Sequence, residues 1–183
     1  MISEDSTLMK TIFAALAVCL GYTPGDSAAS ALIHQAYLEP ESPARPPRER
    51  DEVYYSLRTE DDPEDRVQSG VLSNPASGDG KVMTVRSFLS YQLVIVCYGP
   101  HAEAYAHRIR SFLYLDGYGK PRAILRAAGI YPIPDPPQPN LMEELEGSLW
   151  RRRADLTVSI RVRDEMEARV PVARYVAAPV IWS

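Results

Sequence analysis

Hydrophobic positions recur at a helical repeat in four places along the chain. Leu8, Met9, Ile12, Phe13, Leu16, Cys19 and Leu20 fall three and four residues apart, Ser6 can cap their start and Gly21 their end. A core-facing helix is predicted there. The run Ile12 to Leu20 also has the length of a signal-peptide core, but Glu4 and Asp5 precede it, Lys10 is its one basic neighbour, and Val18 fills a site where a lipoprotein signal needs a small residue. The core helix is the better reading. A second helix is predicted from about Ser27 to Leu38 through Leu32, Ile33, Ala36 and Tyr37, a third from about Pro100 to Asp116 through Ala102, Tyr105, Ile109, Phe112 and Leu113. A short fourth runs from Lys120 to Ala128, with Pro121 in its first turn and Gly129 at its end.

Elsewhere the repeat is two. Val53, Tyr55 and Leu57 alternate within Glu52 to Thr59, which predicts a strand. Val82 to Tyr98 is rich in β-branched and aromatic residues and ends at Gly99-Pro100, so it reads as one long strand or as two joined by a bulge near Ser87. Leu149 to Asp164 has the clearest alternation: Ala154, Leu156, Val158, Ile160 and Val162 face one way, and Arg151, Arg153, Asp155, Thr157, Ser159, Arg161 and Arg163 the other. Asp164 to Glu167 is read as a turn. Val170 to Trp182 offers a last strand pattern, which Pro171 and Pro179 assign to an edge. This order favours an α+β fold: a small mixed, mainly antiparallel sheet packed against helices, with long loops or arms.

Between these elements the chain is rich in proline, glycine and charge. With 183 residues it is read as a single domain, 1–183, with extended segments at about 39–51 and 60–81 and a proline-rich crossing at about 130–139. Its 16 prolines lie mainly at Pro40 to Pro47 and Pro132 to Pro139, where missing backbone donors do not interrupt a core. The formal charge of −4 argues against a free-standing cationic nucleic-acid binder, and two cysteines cannot build a disulfide framework or a four-cysteine zinc site. No membrane span is expected.

Candidate chemistry is sparse. His101 and His107 are six positions apart, about 600° around a helix, and so do not share a face. Cys19 and Cys97 sit in apolar patterns where a cysteine behaves as a small hydrophobe. Ser77-Gly78-Asp79-Gly80-Lys81 lacks the spacing of a phosphate loop and carries an acid where phosphate would be repelled. No catalytic residue, metal ligand or cofactor is assigned. Two features stand out. Trp150, Arg151, Arg153, Arg161 and Arg163 mark a strand whose arginines share one face, and Asp61, Asp62, Glu64 and Asp65 form an acidic loop. Either can be a plain solvated surface; as a pair they can form a subunit or partner interface, the loop of one copy meeting the strand of another.

The succession Tyr91-Gln92-Leu93-Val94-Ile95-Val96 with Tyr98-Gly99, a helix with Ala102 and Arg108, Gly129-Ile130, a proline-rich stretch, and Trp150-Arg151-Arg152-Arg153-Ala154-Asp155-Leu156-Thr157-Val158 resembles the tailed-bacteriophage neck and tail terminator family. The resemblance covers about Val82 to Ser183. It implies a structural virion protein, made in the host bacterial cytoplasm and placed at the head-tail junction. It implies a ring of like subunits, typically six, that caps the tail tube, stops its polymerisation and presents a docking surface to a head-side connector or adaptor protein. DNA would pass through the channel without sequence-specific binding. A head-completion or connector-adaptor protein, or a minor tail protein, is the nearest alternative. A small hydrolase using Cys97 or the acidic loop, or a DNA-binding module on the arginine strand, stands further off.

Overall fold

In the computed structural model, which describes residues 2–36, 49–73, 81–114, 120–146 and 149–170, the two repeats sort into one sheet with helices packed on one face. Helix α1, Ile2–Leu20, begins ahead of Ser6, so that serine lies within it rather than capping it. Gly21, at φ 91°, ends it: the Tyr22 amide donates to the Ala17 carbonyl (2.9 Å) and the Gly21 amide to that of Val18 (3.1 Å). That paired closure needs a left-handed residue, as the sequence pattern anticipated.

Helix α2, Ser27–Leu32, starts on Asp26, whose carboxylate accepts the Ala28 amide at 2.9 Å. It stops well short of Leu38. Ile33–Gln35 instead form strand β1, running parallel to Val53–Tyr55 of β2, Glu52–Thr59, because a β-branched residue at 33 gains both a ladder and a buried site there.

The predicted loop 60–81 is structured in part: a 3-10 turn spans Pro63–Arg66, and Ser69–Ser73 form strand β3 against β4, Lys81–Tyr98. No bulge interrupts β4. Its full length pairs antiparallel with β7, Leu149–Val170, in one unbroken register from Lys81 opposite Val170 to Tyr98 opposite Arg153. The turn predicted at Asp164 to Glu167 is absent for the same reason, since those residues pair with Ser87 to Thr84.

Helices α3, Ala102–Tyr114, and α4, Lys120–Ala127, follow β4 as the apolar stripes require. The proline crossing opens with a short strand, β5, Ile130–Pro132, and its later part is tied down by Arg110, whose Nε donates to the Pro137 carbonyl at 2.7 Å. Strand β6, Asn140–Glu146, is an element the sequence pattern did not announce. Sheet order is β1-β2-β4-β7-β5, with β3 added to β4 and β6 to β7, and every pairing except β1 with β2 is antiparallel. This is the α+β class expected. Residues 39–48 and 74–80 of the predicted arms, and the predicted last strand beyond Val170, lie outside the described residues.

Val53 and Tyr55, Leu93, Ile95 and Cys97, and Ala154, Leu156, Val158 and Ile160 present one sheet face to Ile12, Leu16, Ala106, Ile109, Leu113 and Leu125 of the helices. Tyr55 also donates its hydroxyl to the Met9 carbonyl at 3.3 Å, fixing α1 across β2. The opposite face carries the arginines of β7.

Candidate subunit interface

Alternation places Glu52 and Tyr54 of β2, Tyr98 of β4, and Arg151, Arg153 and Asp155 of β7 on the face turned away from the helices. Arg153 donates from Nε and Nη2 to both oxygens of Asp155 (2.7 and 2.8 Å) and from Nη1 to Oε2 of Glu144 (3.0 Å). Those two carboxylates, Asp155 foremost, hold its guanidinium charged well above the usual arginine range, with burial working in the opposite direction. Arg151 is buried: its guanidinium lies 4.8 Å over the Tyr98 ring, donates to the Arg50 carbonyl (3.2 Å), and stands 3.7 Å from the buried Glu52 carboxylate. Tyr54 donates its hydroxyl to Glu52 (2.9 Å) and Tyr98 to Glu144 (3.0 Å). Burial first, and the Glu52 carboxylate next, push Tyr54 up to about 12; burial pushes Tyr98 up to about 12 as well, against the opposing pull of Arg153. Arginines and aromatics in such a lattice make a rigid plate.

The acidic loop packs against the same face further along. Asp65 accepts the Ser90 amide and hydroxyl, both at 2.7 Å, and this pins the 3-10 turn to β4. Asp62 receives Arg161 Nη2 at 3.2 Å within one chain, so the loop and the arginine strand do meet, inside a single copy. Arg163 reaches Glu165 (3.4 Å), which Arg86 also holds (2.8 Å). Asp61 lies just ahead of the turn, and the side chain of Glu64 is outside the described residues.

Trp150 stands apart from its arginine neighbours. By parity it faces the helix side, beyond the reach of the helices, and is 53% exposed opposite Leu145, itself 54% exposed. Leu141 is exposed on the same face of the β6–β7 hairpin. At the far end of the sheet, Val71 and Leu72 of β3, Leu89 of β4 and Met166 of β7 are exposed as well. Exposed apolar groups thus gather at both ends of one sheet. Sequence reasoning missed Glu52, Tyr54, Tyr98 and Glu144. The alternation of β2 put the first two on the outward face, but only the strand register brings them to Arg151.

Among the described residues no three of His, Cys, Asp and Glu sit where they could hold a metal ion. Cys19 and Cys97 are fully buried, and burial pushes both thiols up to about 12, far from a reactive thiolate. His101 donates from Nδ1 to Asp51 (2.7 Å), whose other oxygen takes the His101 amide, a clamp on the turn that leads from β4 into α3. No described helix is long and apolar enough to cross a membrane.

A family model described as phage neck terminator protein matches residues 10–181, from α1 through the whole sheet. No curated protein matches the chain.

Proposed function

This chain belongs to the phage neck terminator protein family, a family of structural phage proteins, and on that premise we propose that it acts as a tail terminator. Membership gives it a structural role in the neck or tail of a phage particle. The finer reading is that copies close into a ring of six that caps the tail tube and stops its polymerisation. The ring then offers a docking surface to a head-side connector or adaptor protein, and DNA passes through its channel unread. The observation that carries this reading is the family match over nearly the whole chain, which includes the sheet whose ends bear the exposed apolar groups.

The strand carrying Trp150, Arg151, Arg153, Arg161 and Arg163 is the surface proposed to meet neighbours. Its arginines are held in place by Glu52, Glu144, Asp155, Asp62 and Glu165 of the same chain, so they act as a stiff backing, while Trp150 supplies apolar contact. The acidic loop that carries Asp61, Asp62, Glu64 and Asp65 is held to this strand by Asp62 and to β4 by Asp65.

Tube elongation tests the proposal. Purified tail-tube protein, followed by light scattering with and without this chain, is expected to stop lengthening when the chain is added in less than equimolar amount. Unchanged elongation, with bare tube ends in electron images, would overturn it.

A further inference from the structure

Four strands have one side unpaired among the described residues: β1 and β5, of three residues each, and the longer β3, which pairs β4, and β6, which pairs β7. An unguarded strand edge offers a row of amides and carbonyls to another chain, and proteins usually protect it with charge, proline or cover. Here β3, SGVLS, has neither charge nor proline and is exposed along its whole length. Its exposed apolar side chains are Val71 and Leu72; those of β6 are Leu141 and Leu145, with Met142 at the margin.

We propose that β6 of one copy pairs antiparallel with β3 of the next, so that the sheet runs on from subunit to subunit. This rests on the ring reading above and names the contact within it. Strand direction supports it. Both β3 and β7 run opposite to β4, while β6 runs opposite to β7, so a neighbour set down in nearly the same orientation brings its β3 alongside β6 with reversed direction. Facing supports it too. In that orientation Leu72, level with Met83 on the helix side, joins Leu141 and Leu145 on one face, and Val71 joins Met142 on the other.

Charge selects this pairing over the symmetric one. Two β6 strands brought together would set Glu143 and Glu144 against their own copies, and like charges across a ladder destabilise it. The β3 end instead offers exposed Lys81 and Arg169 beside an uncharged strand. The two edges lie at opposite ends of β7, about 15 residues apart or on the order of 50 Å at ~3.3 Å per residue, so the β3–β4–β7 arm reaches over the adjoining copy. Unlike edges in contact leave a free edge on each side of a pair, and such a head-to-tail contact closes into a ring when the rotation between copies fits.

The test uses one charge at each edge, at positions already exposed and outside the core: Leu145→Asp on β6 and Leu72→Asp on β3. Each variant alone is expected to retain the wild-type thermal melt but lose self-association on tube ends, at least tenfold in the concentration needed. An equimolar mixture of the two is expected to give a heterodimer and nothing larger, because only one intact β6 and one intact β3 remain to meet. Wild-type assembly by either variant would refute the edge pairing while leaving the ring reading intact. Homodimers of a single variant would refute it in favour of a symmetric contact. Wild-type protein that never associates, even with tube protein present, would remove the ring reading and this contact together.

Discussion

Strands β4 and β7 each live in two environments, and the contrast between their halves explains more than either alone. In the half nearest the helices, Leu93, Ile95, Leu156 and Val158 are no more than 2% exposed. In the other half the same alternation continues without a break, yet Leu89 is 41% and Met166 64% exposed. Periodicity decides which face a side chain takes; the length of the helices decides whether that face is used to hold the monomer. The uncovered half keeps an apolar side that nothing described in this chain covers, backed by the Arg86–Glu165–Arg163 ion pairs on its reverse. Such a ribbon is suited to contact between molecules.

Perturbing the covered half should be costly. Arg151→Ala leaves the Glu52 carboxylate buried without its cation, and about 3–5 kcal/mol of stability is expected to go in denaturant unfolding, the range for breaking a buried ion pair. Leu156→Ala opens a cavity among the helices and is expected to lose about 2–5 kcal/mol. Met166→Ala in the uncovered half should stay within about 0.5 kcal/mol of wild type, and equal losses at 156 and 166 would erase the contrast.

Next in size is Gly99→Ala. At φ 106°, with an added Cβ 2.8 Å from the Arg50 carbonyl, it should lose about 1–3 kcal/mol by thermal melting. The smallest effect belongs to the acidic loop: Asp62→Ala removes a part-exposed pair with Arg161, and at most about 0.2–1 kcal/mol is expected.

Alkaline titration separates the same regions. Tyr54, Tyr55 and Tyr98 are all pushed up to about 12 from an ordinary value of 10, burial being the largest cause in each. The folded state therefore holds their protons more tightly than the unfolded chain. The stability they contribute is complete below pH 10 and is lost as pH rises from about 10 to about 12. Ultraviolet titration of phenolate should show these three ionising late, together with unfolding; early ionisation of Tyr98 would contradict the closed aromatic-arginine plate.

Much of this architecture was legible in the residues. The stripes of α1, α3 and α4, the strand at 52–59 and the polar and apolar sides of β7 follow from spacing alone. Others were not. Helix α2 ends early because Ile33 finds a strand partner twenty residues on, a fact of register that no local pattern carries. Strand β6 is rich in glutamate, a poor strand former, and exists through its pairing with β7. The turn read at Asp164 to Glu167 rested on polarity, and it vanished because Ser87 to Thr84 supply a ladder across from it. The arginine face was read correctly in its parity. Its partners within the chain required the register, which sets Asp62 beside Arg161 of the same copy.

Amide hydrogen exchange on the wild-type protein, free and assembled on tail-tube ends, tests the central claim most directly. Amides of β4 and β7 between Leu93 and Cys97 and between Ala154 and Ile160 are expected to exchange slowly in both states, since they lie in the covered half. The outward-pointing amides of β3 and β6 are expected to exchange freely in the isolated protein and to become protected on assembly. Assembly that left β3 and β6 as open as before would contradict the claim that these two edges of the sheet are where one copy meets the next.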